Sequence, residues 1–390
     1  MLLAVNNAAG VCLLAIISTA VMPRGDLGDD TSSVDVLPLK DIGASFTIPI
    51  TFFGYKIPFV IDTECDCTVI NTSFTNFLSQ EPMEATISSG SSTVHTNAVY
   101  KGVTMTIGTR QYQPEIIVAA NLSALAQISG EYVRGILGKD ILTNWAVAID
   151  HLNEEVALQG HEAPLFPLPK NNVPLRLLPS GSFVFTGSVG NNVPLTLTVD
   201  SGSYYSVSLN PNDWNLVFPH GPKKTIQVTS SDFGGSAVET VLARLPSLTI
   251  GSERYDDLLC YRISKTNALS RVGWSLLKRN RTIIDYPHRR LYMSRIERPV
   301  ADEWDTTGMD LSWTERGRPS VTFVDPHGPA FAAGISAKDE IISIDDRPIE
   351  LFSKREFWDL FHSSARRTLK LWVLRDGREL EVHLRRRRMI

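Results

Sequence analysis

The sequence predicts a mainly β protein in which one β-rich lobe is duplicated and a small α+β domain follows at the C-terminal end. Three observations carry that expectation. Sequence marks recur in one order at nearly one offset. Short runs of Val, Ile, Thr and Phe are punctuated by Gly, Pro, Asn and Ser clusters, as in strands joined by turns. The character of the chain then changes near residue 300.

Taken in order, residues 1–22 read as a signal segment. An apolar run from Ala9 to Met22 is followed by Pro23, Arg24 and Gly25, and is too short to span a bilayer comfortably; Ser18 and Ala20 are small enough to mark a cleavage site. No Lys or Arg precedes the run. Export to a periplasmic or extracellular space is the expected location, with the cytoplasm as the alternative. Residues 23–41 read as a linker, 42–160 as the first lobe and 183–296 as the second. Between the lobes, 161–182 carries Pro164, Pro167, Pro169, Pro174 and Pro179 and reads as an extended connector. Residues 300–390 form the third unit.

The duplication rests on three matched pairs. Gly54 to Glu64 matches Gly190 to Gly202, each a turn and an apolar strand ending in Asp and a small hydroxyl residue. Met105 to Tyr112 matches Leu248 to Tyr255, and Gly138 to Asp150 matches Gly273 to Asp285. Two short helices are expected, Lys139 to Thr143 and its counterpart Trp274 to Lys278. In the third unit, an amphipathic helix from Ser353 to about Ser363 precedes a hairpin that turns at Asp376 and Gly377.

Composition removes several functional classes. With 43% hydrophobic and 21% charged residues and a formal net charge of −4, the chain resembles neither a disordered protein, a membrane protein nor a nucleic-acid binder. The Arg385 to Arg388 run reads as a solvated tail. Four cysteines, with Cys12 inside the signal segment and Cys65 and Cys67 one residue apart, supply no disulfide framework, and no Cys/His cluster supplies a metal site. No metal and no cofactor are expected.

The chemistry-bearing residues are Asp62 and Asp200, one per copy of the repeat. Two carboxylates held side by side cannot both ionise cheaply, so they share a proton and offer a general base beside a general acid. Such a pair can activate a water held between them without a covalent intermediate. No Gly-x-Ser-x-Gly elbow, His-Glu-x-x-His helix or Walker loop is present, and Asp232-Phe233-Gly234 lacks the other kinase signatures.

Apolar strand, Asp-Thr or Asp-Ser, then Ile136-Leu137-Gly138 or Arg271-Val272-Gly273, resembles the pepsin/retropepsin superfamily of aspartic peptidases over about Ile42 to Arg295. The resemblance implies a two-lobed pepsin-like acid protease fold and an aspartic-type endopeptidase with Asp62 and Asp200 as its catalytic pair. It also implies that Thr63 and Ser201 hydrogen-bond across the lobe interface and that Gly202 lets the backbone pass close to its partner. The family covers the pair with hairpin flaps. Here Ser89 and Gly90 in the first lobe and Gly234 in the second hold the corresponding turns, which read equally as plain hairpins.

From Pro326 to Gly334 and from Asp339 to Ile344 the chain resembles a bacterial-type PDZ domain. That implies a carboxylate-binding loop at Gly308, Met309, Asp310 and Leu311, and a groove wall on the Ser353 to Ser363 helix, with Phe357 and Phe361 in the core. The implied partners are peptide or protein substrates and, for the PDZ unit, a C-terminal peptide; no nucleic acid is expected, and because each lobe supplies one Asp a monomer suffices. Glu64 departs from the pattern, standing where the family has Gly. It brings a third carboxylate to the pair if it points inward and leaves the turn intact if it points outward. The alternative function is therefore a catalytically inactive, protease-like peptide-binding or scaffold protein.

Overall fold

Phe53 and Gly54 both adopt positive φ, at 50° and 81°, the backbone twist that folds one strand straight back on its neighbour. They join Phe46–Phe52 to Tyr55–Ile61 in register from Phe52↔Tyr55 to Thr47↔Val60. The same device recurs later, where Gly190 and Asn192 have φ of 54° and 64° and join Phe183–Val189 to Val193–Asp200. The computed structural model describes residues 33–88, 94–163, 167–190, 192–231, 237–264, 266–296, 306–362 and 367–390, with two short strands, Ala4–Asn6 and Cys12–Leu13. The rest of the signal segment and the turn residues Ser89, Gly90 and Gly234 lie outside the described residues.

Around these hairpins the two halves repeat one sheet order. Tyr55–Ile61 is followed across its sheet by Gly135–Leu137, Val69–Asn71, Ile117–Ala120 and Val94–Tyr100; Val193–Asp200 is followed by Ser270–Gly273, Val207–Leu209, Glu253–Arg262 and Ala237–Ile250. The parallel pairings fall at equivalent places, Leu137↔Ile61 with Asp200↔Gly273 and Val118↔Val69 with Val207↔Cys260. A six-stranded sheet joins the halves through Ala146–Asp150 and Asn280–Asp285, antiparallel from Ala146↔Asp285 to Asp150↔Arg281. Apolar side chains from both halves form one continuous core, in which fully buried Trp274 meets Phe46 at a ring separation of 4.6 Å. Burial of that kind, non-directional and proportional to area, holds the halves together.

Two expected connecting segments turn out to be structured. Within the 23–41 linker, Val34–Pro38 pairs with Glu155–Gln159 at the edge of the six-stranded sheet, burying Asp35 and Leu37 and leaving Val34 and Val36 exposed. Within the 161–182 connector, Asn172–Pro174 pairs with Arg290–Tyr292 and Arg176–Leu177 with Phe183–Val184. Proline is tolerated because an edge strand leaves one row of amides unpaired. The two expected helices are Lys139–Leu142 and Trp274–Leu277. Among the described residues of the two halves, two further α-helices escaped the sequence reading. Pro211–Val217 opens on Asn210, whose side chain accepts from Asn212 and Asp213, and Ser123–Ser129 closes on Gly130 at φ 70°.

The C-terminal unit has its own core and a sheet in the order Met309–Trp313, Pro319–Val324, Glu340–Ile344, Thr368–Arg375, Arg378–Arg385. Helix Lys354–His362 packs Phe357 and Phe361 into that core. Asp376 and Gly377, at φ 49° and 79°, make the hairpin turn. The expected carboxylate loop runs from a turn into a strand. Met309, Asp310 and Leu311 are strand residues, because Met309 and Leu311 pack on the core, and only Gly308, at φ 68°, forms the turn.

Candidate active site

Each half ends an apolar strand at an aspartate. Asp62 follows Tyr55–Ile61, and its amide donates to the Leu137 carbonyl at 3.1 Å. Asp200 closes Val193–Asp200 opposite Gly273. The chain then turns so that each carboxylate accepts amides from its own loop. Asp62 Oδ1 accepts from Glu64 at 2.9 Å and Cys65 at 3.0 Å; Asp200 Oδ1 accepts from Gly202 at 3.0 Å.

Reciprocal hydrogen bonds lock the two loops together. Thr63 Oγ1 donates to the Val199 carbonyl at 2.6 Å and accepts from the Ser201 amide at 3.0 Å. Ser201 Oγ donates to the Ile61 carbonyl at 2.7 Å and accepts from the Thr63 amide at 3.2 Å. Both hydroxyls are fully enclosed, so every lone pair and proton here is exchanged between the halves and none with water. Gly202 completes the approach, since a Cβ there would overlap the Asp62 carboxylate. A side chain at 202 would drive the two loops apart.

The pair is chemically unequal. Enclosure and the neighbouring Asp200 charge push the Asp62 carboxyl up to about 7, against the pull of the Glu64 and Cys65 amides, while Glu64 itself adds a smaller push in the same direction. Asp200 instead meets a cation, with Arg271 Nη1 2.6 Å from its Oδ2. Burial works against the Arg271 charge, and the Asp200 ion pair outweighs it, so the guanidinium is held above its ordinary value. Among the described residues Asp62 makes no ion pair.

Glu64 points inward, across to the other half. Its Oε1 accepts from Thr198 Oγ1 at 2.5 Å and its Oε2 from Ser182 Oγ at 3.4 Å. Lys139 Nζ lies 4.0 Å from Glu64 and 2.8 Å from Asp66. Burial raises the Glu64 carboxyl, and Lys139 and the Thr198 bond only partly offset it. Next to Lys139, Asp140 holds the Thr68 amide at 3.0 Å and hydroxyl at 2.9 Å, and its enclosure raises it to about 6. The result is a seam holding three carboxylates, Arg271 and Lys139, rather than an isolated aspartate pair.

The structure therefore brings Asp62, Thr63, Asp200, Ser201 and Gly202 together and puts the Gly308 turn in the separate C-terminal unit. Sequence reasoning missed Arg271, Lys139 and Thr198. Two signals were available: an arginine in a strand position where an apolar residue was expected, and a lysine one residue past Gly138 at a position that proves 6% exposed. Cys65 and Cys67 are free thiols held protonated by burial, and Cys65 Sγ is turned to the Cys67 carbonyl at 3.1 Å. Among the described residues no cluster of His, Cys, Asp and Glu is arranged to hold a metal.

No curated protein matches the chain. Residues 306–385 match the PDZ domain family, so the chain carries a PDZ domain, a module that binds peptide or protein ligands, at its C-terminal end.

Proposed function

We propose that the protein is an aspartic-type endopeptidase, pepsin-like in its two halves, whose PDZ domain takes a peptide or protein substrate to the Asp62 and Asp200 pair. The observation that carries the reading is the reciprocal Thr63 and Ser201 exchange, which serves to hold two carboxylates at one seam. Asp62, raised to about 7, carries the proton and donates it to the carbonyl oxygen; Asp200, in its ion pair with Arg271, is the carboxylate that takes a proton from the attacking water. The tetrahedral adduct then collapses: the C–N bond breaks, the proton held on Asp200 passes to the leaving amine, and one hydroxyl of the adduct returns its proton to Asp62 as it becomes the new carboxyl carbonyl. Bond making and breaking balance without a covalent enzyme intermediate or a metal.

A second reading is a peptide-binding relative without turnover, and it is favoured by the same Arg271 bond, which occupies an oxygen of Asp200 that the reaction needs. One assay separates them. The full chain is incubated with a denatured protein substrate from pH 4 to 8 and new amino termini are counted. The endopeptidase reading expects cleavage that Asp200→Asn lowers by about 10³-fold or more. The binding reading expects no cleavage at any pH in wild type or Glu64→Gly, with substrate affinity indifferent to Asp200→Asn.

A further inference from the structure

A PDZ domain takes an extended peptide as an added strand on an exposed sheet edge, beside a helix. In this chain that edge is Met309–Trp313, which among the described residues pairs only with Pro319–Val324. Helix Lys354–His362 stands beside it, with Phe357 4.9 Å from Trp313 between ring centroids. The edge is not open. Helix Ser123–Ser129 of the first half lies against it. Where that helix ends, Gly130 is pressed so close that a Cβ would fall 2.6 Å from Trp313 Cδ2 and 2.8 Å from Lys354 Cε. Lys354 Nζ in turn sits 3.2 Å from the centroid of the Trp313 ring, with Glu131 near enough to favour its charge against the effect of burial.

The other end of the edge is engaged as well. Met309 and Asp310 share a small cleft with Ile226, Gln227 and Val228 of the second half. The helix wall is held too, since Trp358 covers Gly43, where a Cβ would fall inside the indole, and lies 5.9 Å from the ring of Tyr204, four residues past Asp200. Arg355 with Glu154 and Arg388 with Asp257 add ion pairs across the same junction.

We propose that the peptide groove of the PDZ domain is closed in cis by helix Ser123–Ser129 and the Ile226–Ser231 strand, so that a peptide with a free C-terminal carboxylate binds only when the domain leaves the body of the protein. The domain is then a ligand-gated element rather than a permanently open recruiter. Docking and peptide binding compete, and the apparent affinity is the intrinsic affinity multiplied by the fraction of molecules that are undocked. The inference rests on the groove assignment and not on peptide hydrolysis.

The test uses the full chain and two variants outside the Asp62 and Asp200 seam. Gly130→Asn keeps a residue that tolerates φ 70° but adds a side chain that must displace Trp313. Glu131→Arg, on the surface, sets a like charge near Lys354 and serves if Gly130→Asn fails to fold. The probes are two fluorescent pools of random decapeptides, one with free C-terminal carboxylates and one amidated. Both variants are expected to bind the free-carboxylate pool about tenfold or more tightly than wild type does, to ignore the amidated pool, and to exchange the amides of Met309–Trp313 with deuterium faster. Equal affinity in wild type and variants, or no binding by any of them, overturns the proposal.

Discussion

Replacing Asp62 with Asn removes the one carboxyl at the seam that is raised and has no cation of its own. The Asn oxygen keeps the Glu64 and Cys65 amides at 2.9 and 3.0 Å, so the loop is preserved while the titration is lost. A rise from 3.8 to about 7 spans about three units, or about 4 kcal/mol as a ceiling. Asp62 keeps part of its surface open to solvent screening, so about 2 kcal/mol is the expected share. The sign follows from proton counting. Between about pH 4 and pH 7 the folded chain holds a proton on Asp62 that the unfolded chain has released, so folding stability is greatest below the unfolded value and falls as pH rises through the folded one. Urea unfolding followed by tryptophan fluorescence at pH 5 and pH 8 measures the effect. Wild type should lose about 1 kcal/mol more than Asp62→Asn between the two pH values, since part of the loss falls below pH 5, and the variant should be the more stable protein at pH 8. A difference within about 0.5 kcal/mol, or a variant less stable at pH 8, would refute the reasoning.

Arg271→Gln removes a cation that interacts with Asp62 as well as with Asp200, so the raised Asp62 carboxyl holds its proton more firmly; the upper midpoint of any pH-dependent activity or of inhibitor binding should move to higher pH, and an unchanged profile would show that the ion pair is ornamental. Thr63→Val leaves the buried Ser201 amide without an acceptor and should cost about 1–3 kcal/mol in the same urea assay, while Thr63→Ser restores most of it. If Thr63→Ser is as damaging as Thr63→Val, the lost methyl packing rather than the hydrogen bonds carries the seam.

Strand ends and turns were readable because their causes are local. Gly54, Gly190 and Gly377 sit in turns with positive φ, and the repeat of Asp62-Thr63 as Asp200-Ser201 marked residues that the hydrogen bonds then bring together. What escaped the sequence was set by distant partners. Nothing near Arg271 in the chain points to Asp200, and nothing near Glu64 points to Thr198 or Ser182; these contacts exist only once the halves meet. The Val34–Pro38 strand was not legible, because Val34 and Val36 face outward while Asp35 is buried against Thr109 and Arg110, the reverse of the polarity its residues suggest.

The central claim is that the Asp62 carboxyl is raised by its enclosure and by the Asp200 charge across the seam. Carbon-13 labelling of aspartate side chains, with NMR titration from pH 3 to 9, tests it directly. One carboxyl should titrate near 7, vanish in Asp62→Asn and move down in Asp200→Asn, while the Asp140 signal near 6 stays in both variants. A spectrum in which the signal near 7 is absent, or is untouched by Asp200→Asn, would contradict it.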